Sequence, residues 1–147
     1  MLTPTPDIDA VAARLALALK RLQARLREEA QANAGLSLSQ LAILQRLRRD
    51  GPATAAVLAT AEHVSQQAIA QSIALLKSAG FVQTAPDPTD GRKTCISITD
   101  AASRLHASII ASRTAWLAHA IDTTIDAEER AALATTVDLL ERLAEAD

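Results

Sequence analysis

The stretch from Ser65 to Thr99 constrains the fold more than any other part of the chain. It opens on three polar residues, Ser65, Gln66 and Gln67, that lead into a helical pattern running to Ala79. Ile69, Ile73 and Leu76 recur at helical spacing and share an inward face. Gln67, Gln71, Ala74 and Ser78 fall on the opposite face, with Gln66 and Ala70 near its edge. Gly80 stops the pattern, and the apolar pair Phe81 and Val82 follows. Then comes a tight polar turn over Pro86-Asp87-Pro88-Thr89-Asp90-Gly91-Arg92-Lys93, and an alternating segment from Thr94 to Thr99. Helix, strand, turn, strand is the order of a winged helix. In that arrangement a helix can enter a DNA major groove while the turn tip carries cations toward the adjacent backbone or minor groove.

Upstream, the pattern supplies what such a unit needs. Ser37 with Gln40 forms a capping pair at the start of a helix whose buried face is predicted at Leu41, Leu44 and Leu47. Arg46, Arg48 and Arg49 crowd its end, where cations suit the helix dipole. Asp50-Gly51-Pro52 is a turn, and Thr54 caps a short helix through Leu58 and Ala59. Thr60 to Val64 links that helix to the one capped by Ser65, which makes a helix-turn-helix.

Long helices flank this unit. Residues 1–7 read as a loose terminus, and from Ile8 a stripe of Ala12, Leu15, Leu19, Leu22 and Leu26 runs to about Asn33-Ala34-Gly35. At about 1.5 Å per residue such a helix approaches 40 Å, more than a small winged helix needs internally. Thr99 caps a second long helix through about Ile121, with Leu105, Ile109, Trp116, Leu117 and Ile121 on its apolar side. Asp126 with Glu129 opens a last helix carrying Leu133, Val137, Leu140 and Leu143. The fold class predicted is mainly α: a winged helix-turn-helix with a two-stranded β wing and long N- and C-terminal dimerisation helices. The expected division is 1–35 for the N-terminal dimerisation helix, 36–99 for the DNA-binding unit and 100–147 for the C-terminal dimerisation helices.

Composition sharpens this. Of the 147 residues, 49% are hydrophobic, but much of that is alanine, and the only aromatics are Phe81 and Trp116. A core of Ala, Leu and Ile buries modest area per residue, so part of the apolar surface is expected to be buried between subunits. Net charge is −2, which argues against a generally basic nucleic-acid coat. Its distribution is uneven: residues 37–98 carry six Lys/Arg against four Asp/Glu, whereas residues 99–147 carry four against nine. The acid thus collects away from the helix and wing. No apolar run approaches the roughly 20 residues of a membrane span. The start, with Pro4, Pro6, Asp7 and Asp9, lacks the pattern of a signal peptide, so a cytoplasmic location is expected.

On these residues the chain resembles the MarR family of bacterial transcription regulators. Leu36-Ser37-Leu38-Ser39-Gln40-Leu41 is similar to the opening of the family's second helix, and Gly51-Pro52 with Leu58-Ala59 to its short turn and third helix. Asp87-Pro88-Thr89-Asp90-Gly91-Arg92, followed by Ile98-Thr99, is similar to the family's wing, in which an aspartate holds an arginine at the tip. The resemblance implies a triangular homodimer, joined by its first and last two helices, that binds a pseudo-palindromic operator. It also implies release by a small ligand near the junction of dimer and reader. Three features depart from the pattern: Gln71 stands where arginine is common, so does Thr84, and small residues, Ala102 and Ser103, replace the turn glycine after the wing threonine.

The candidate DNA-binding residues are Ser65, Gln66, Gln67, Gln71, Lys77, Asp90, Arg92 and Lys93. Glutamine can bond adenine N6 and N7 in the major groove, although the same side chains also suit a merely exposed polar face. Ser65 caps its helix under either reading, and the N–H groups beside it can take a phosphate. Arg92 and Lys93 suit a DNA-directed tip or ordinary solvated charges; the helix-turn-helix just upstream favours the tip, with Asp90 pairing Arg92 to orient it. Cys95 has no second cysteine to resolve an oxidised thiol and reads as a bystander. His63, His106 and His119 show no metal-ligand spacing, and no nucleophile–base set, phosphate loop or paired-carboxylate motif stands out. Neither enzymatic activity nor a cofactor or metal is therefore expected.

The leading function is a transcriptional repressor that binds double-stranded DNA as a homodimer. A small effector is expected where the first long helix and the start of the Thr99–Ile121 helix meet the reader. Lined mostly by Leu, Ile and Ala, that site would take an apolar or amphipathic ligand. The alternative is a winged-helix dimer with weak or lost DNA binding that acts as a protein-interaction module.

Overall fold

Side-chain caps open every helix of the structure, a computed structural model that describes residues 5–146. Helix α1 (Ile8–Ala34) starts on Asp7 and ends at Gly35, whose φ of 65° lies in the left-handed region that glycine enters freely. The expected loose terminus over residues 1–7 lies partly outside the described residues. Ser37 and Gln40 form a full capping box at α2 (Leu38–Asp50), and Thr54 caps α3 (Ala55–Glu62). Ser65 Oγ accepts the Ala68 N–H at 3.1 Å to open α4 (Gln66–Ser78). Strands β2 (Val82–Pro86) and β3 (Thr94–Ile98) form the wing, and Thr99 caps α5 (Asp100–Thr124). Asp126 and Glu129 box the start of α6 (Ala127–Ala144).

The sheet differs from expectation. Beyond the two wing strands, a short strand β1 (Ala53–Thr54) pairs antiparallel with β3, giving the order β1-β3-β2. Ala53 lies opposite Ile96 and Thr54 opposite Cys95, while β2 pairs with β3 from Val82–Ile98 to Pro86–Thr94. Two residues are too few to show an alternating pattern, and their partners lie some forty positions downstream. The strand is therefore silent in the local sequence.

The core sits where α2, α3, α4 and the sheet converge. Ile43, Leu44, Leu47, Leu58, Ala59, Ile69, Ile73, Leu76, Val82, Ile96 and Ala102 form one cluster, with Leu58 and Leu76 wholly buried. The predicted α4 face of Ile69, Ile73 and Leu76 is the buried one. On α2 the buried face is wider than Leu41, Leu44 and Leu47: Ile43 is buried as well, while Leu41 is only half-buried. This helix packs on α3 and α4 from one side and on β3 from the other, so a single stripe does not describe it. Gly80 (φ 82°) turns the chain from α4 into β2, with Phe81 N–H donating back to the Leu76 carbonyl at 2.9 Å. The Thr99 hydroxyl then donates to the Gly80 carbonyl at 2.6 Å, which ties the start of α5 to the end of α4.

The long helices bury little within one chain. Helix α1 packs on α5, and the Arg25 guanidinium lies 5.3 Å from the centre of the Trp116 ring. Only Ala30 of α1 is buried, and α6 has no buried residue. Leu17, Leu19, Leu22, Val137, Leu139 and Leu143 are exposed. No helix among the described residues is long and apolar enough to cross a membrane.

Candidate nucleic-acid interface and adjoining cavity

Helix α4 is amphipathic because its apolar residues follow helical spacing, and this alone aims its polar residues outward. Gln66, Gln67 and Gln71 are exposed, and no acidic residue occupies the first turn. The open end of α4 therefore offers N–H groups without local repulsion of an anion. Lys77, at the far end, donates from Nζ to Thr84 Oγ1 of β2 at 3.0 Å. Thr84, noted as a departure from the family pattern, thus links α4 to the first wing strand.

The wing tip is built around Asp87 rather than Asp90. Asp87 Oδ1 accepts the Thr89 N–H at 2.8 Å, the Thr89 hydroxyl at 2.7 Å and the Asp90 N–H at 3.2 Å. The backbone closes the turn with Asp87 N–H to the Lys93 carbonyl and Lys93 N–H to the Asp90 carbonyl. Hydrogen bonds from Thr89 and Asp90 to the charged form, with Lys93 nearby, hold the Asp87 carboxyl below its usual range. Asp90 does not meet the Arg92 guanidinium, contrary to the expected ion pair. Its Oδ1 accepts the Arg92 backbone N–H at 3.1 Å, because two residues across a tight turn bring the backbone rather than the long side chain into reach. Arg92 and Lys93 are both exposed at the tip. Cys95 is half-buried on β3, flanked by Thr54 and Ala85 on the neighbouring strands.

A cavity adjoins this unit between α2, β3 and α5. Leu41, Leu44, Ile98, Ala102, Leu105 and Ile109 form its apolar wall, and Gln45, Arg48, His106 and Arg113 its polar one. The cavity lies beside the start of α5, as the expected effector site does, but differs from that expectation in two respects. Helix α2, not α1, faces α5 across it, and its lining is cationic as well as apolar. Burial, reinforced by Arg48 and Arg113, pushes the His106 imidazole below its ordinary value. Arg113 Nε is buried with no hydrogen-bond partner among the described residues. A signal for this wall was present in the sequence: Ala102, His106, Ile109 and Arg113 recur at helical spacing, so an arginine and a histidine lie on an otherwise inward stripe. No group of three or more His, Cys, Asp or Glu placed to hold a metal occurs among the described residues.

Comparison with known proteins decides the family. The model of the MarR family matches residues 34–93, from the end of α1 to the wing tip. An HTH-type transcriptional regulator of Mycobacterium bovis, itself uncharacterised, is 36% identical over 135 residues, covering 91% of this chain and 93% of its own. The chain belongs to the MarR family. Among solved structures, a Pseudomonas aeruginosa protein assigned as a transcriptional regulator is 32% identical, with a TM-score of 0.68 over 98% of this chain and 100% of that one. A Thermotoga maritima transcriptional regulator shares the fold at 18% identity, with a TM-score of 0.78 over 90% of this chain and 95% of that one. This MarR-family member is thus a transcriptional regulator of the helix-turn-helix type, with its helix-turn-helix at α3–α4 and its wing at β2–β3.

Proposed function

We propose that two copies of this MarR-family regulator form a cytoplasmic repressor that reads a pseudo-palindromic operator and leaves it when a small ligand binds. The observation that carries the reading is the coupling of an outward, acid-free glutamine face on α4 to an exposed cationic wing tip. Gln66, Gln67 and Gln71 present donors and acceptors, Arg92 and Lys93 present charge, and the Lys77–Thr84 bond fixes helix against wing. Base edges and phosphates are thereby addressed from one unit, residues 36–99. Dimerisation falls to residues 1–35 and 100–147, whose apolar side chains on α1 and α6 remain exposed in a single chain.

One observation favours the interaction-module alternative. The exposed face of α4 bears no arginine, and its single cation, Lys77, is engaged with Thr84. A salt-titrated binding assay on the protein's own upstream DNA separates the readings. The repressor reading predicts preference for that DNA over an unrelated duplex and a linear fall of log affinity with log salt. Equal, weak binding to both duplexes favours the module.

A further inference from the structure

The turn between α3 and α4 is only three residues long, and a side chain from α2 reaches across to its start. His63 enters the turn at φ 55°, in the left-handed region that a non-glycine residue keeps only where its surroundings impose it. Three of the last carbonyls of α3 are taken in turn. Ala59 accepts the Val64 N–H at 3.1 Å, Thr60 the His63 N–H at 3.3 Å, and Ala61 the Arg46 guanidinium at 3.4 Å. Arg46 Nε donates at the same time to Glu62 Oε1. The sequence places Arg46 with Arg48 and Arg49 at the dipole of its own helix. Instead it serves the end of α3, where a cation suits the dipole as well. Asp50 competes little for it: Arg49 engages both Asp50 oxygens, at 2.9 and 3.2 Å, and Arg46 stays 3.6 Å away. The Arg46 and Glu62 side chains are only 28% and 22% exposed, so salt screens this pair less than a surface one.

We propose that Arg46 and Glu62 are positioning residues for DNA reading: the pair fixes the α3–α4 turn and so the tilt at which α4 presents Gln67 and Gln71. Neither residue touches DNA in this arrangement; Arg46 acts through Glu62 and the Ala61 carbonyl. Packing of Ile69, Ile73 and Leu76 holds α4 on the core, but apolar contact is non-directional and leaves the tilt loosely set. A guanidinium fork on two acceptors of α3 defines a direction. The tilt matters because α4 is a lever of 13 residues. At about 1.5 Å per residue, a tilt of about 10° at the turn moves its far end by about 3 Å and Gln71 by about 1 Å. A displacement of about 1 Å exceeds the roughly 0.5 Å within which a binding group must be held. The link to base reading rests on the proposed repressor function; the hold on the turn does not.

Arg46→Gln, Glu62→Gln and the double variant of the full-length protein test the proposal in two measurements, both made well below each protein's melting temperature. The first is amide hydrogen exchange. Val64 and Ala68, whose N–H groups close the turn and cap α4, are expected to exchange about fivefold faster in each single variant. Lys93, whose N–H closes the wing tip, should exchange as in the parent, which separates a loosened turn from a destabilised fold. The second is affinity for the protein's own upstream DNA and for an unrelated duplex. The ratio of the two is expected to fall about fivefold in each single variant and no further in the double, because the two residues act as one. Glu62→Gln is decisive. It removes a negative charge, so a purely electrostatic role predicts tighter binding to every duplex, whereas positioning predicts a weaker hold on the upstream DNA alone. Parent-like exchange at Val64 and Ala68 in both single variants, or full selectivity in Glu62→Gln, overturns the proposal. A parent that prefers neither duplex would overturn the repressor function, and exchange alone then decides whether the pair holds the turn.

Discussion

Arg92 is exposed at the wing tip and contributes little to folding, and on the proposed function it adds charge toward DNA. Arg92→Ala is expected to weaken operator binding and to lower the salt slope by about one unit per lost phosphate contact. Dimerisation and thermal stability should stay unchanged, and parallel salt titrations with melting curves check this. Asp87 makes a different prediction, because its carboxyl is held low by the hydrogen bonds it accepts. A depressed acid stabilises the turn above its ordinary range and loses that effect only as pH falls through the lowered value. The Thr89 amide resonance, whose N–H donates to Asp87, should therefore move at a lower pH than an ordinary aspartate would give, whereas Asp87→Ala should abolish that transition. Histidine 106 has a depressed base instead. As pH falls through the ordinary imidazole range, the unfolded chain gains a proton that the folded chain declines, and stability drops. His106→Gln should flatten the melting temperature between about pH 7.5 and about pH 5.5. At this scale the sequence displays which residues are polar and clustered, but not which oxygen meets which hydrogen. Asp87 and Asp90 are equally plausible organisers of the turn until backbone geometry gives three donors to the first.

At the scale of elements, the legible features are those set by residues three or four apart. Ser37 with Gln40, Asp126 with Glu129, and the single caps Thr54, Ser65 and Thr99 can be read because a cap and its partner lie within one turn. The α4 core face follows from the same periodicity. Features that depend on distant partners are not legible in this way. Strand β1 exists only because Ile96 and Cys95 of β3 pass beside it, and α2 buries Ile43 only because helices close on it from another side. The cavity wall falls between these cases: His106 and Arg113 can be placed on the inward stripe of α5, but Arg48 joins them only through tertiary packing. The shared α2–α4 core also yields a stability prediction. Leu58→Ala or Leu76→Ala removes a wholly buried side chain and should cost about 2–5 kcal/mol in chemical denaturation. Exposed Gln67→Ala should stay within about 0.5 kcal/mol of the parent.

For the whole molecule, the exposed leucines and valines of α1 and α6 set the terms. They are expected to be covered by a second copy over an obligate interface of order 2,000 Å² or more. Sedimentation should find dimer at micromolar concentration, and a folded monomer there would remove this account of the long helices. Such a dimer is expected to set the DNA geometry, with two α4 helices in successive major grooves about 10 base pairs apart. Because that face carries glutamine rather than arginine, discrimination and attraction are divided. On the proposed function the glutamines are expected to choose bases, and Arg92, Lys93 and helix N-termini to hold phosphates. The most direct test is the affinity of the parent, Gln67→Ala and Gln71→Ala proteins for an operator series in which each half-site base pair is changed in turn. The account predicts that the parent loses about 1–3 kcal/mol at particular A·T pairs and that each variant loses its preference at those pairs while binding non-specific DNA as before. Identical base-pair profiles for the parent and both variants would contradict it.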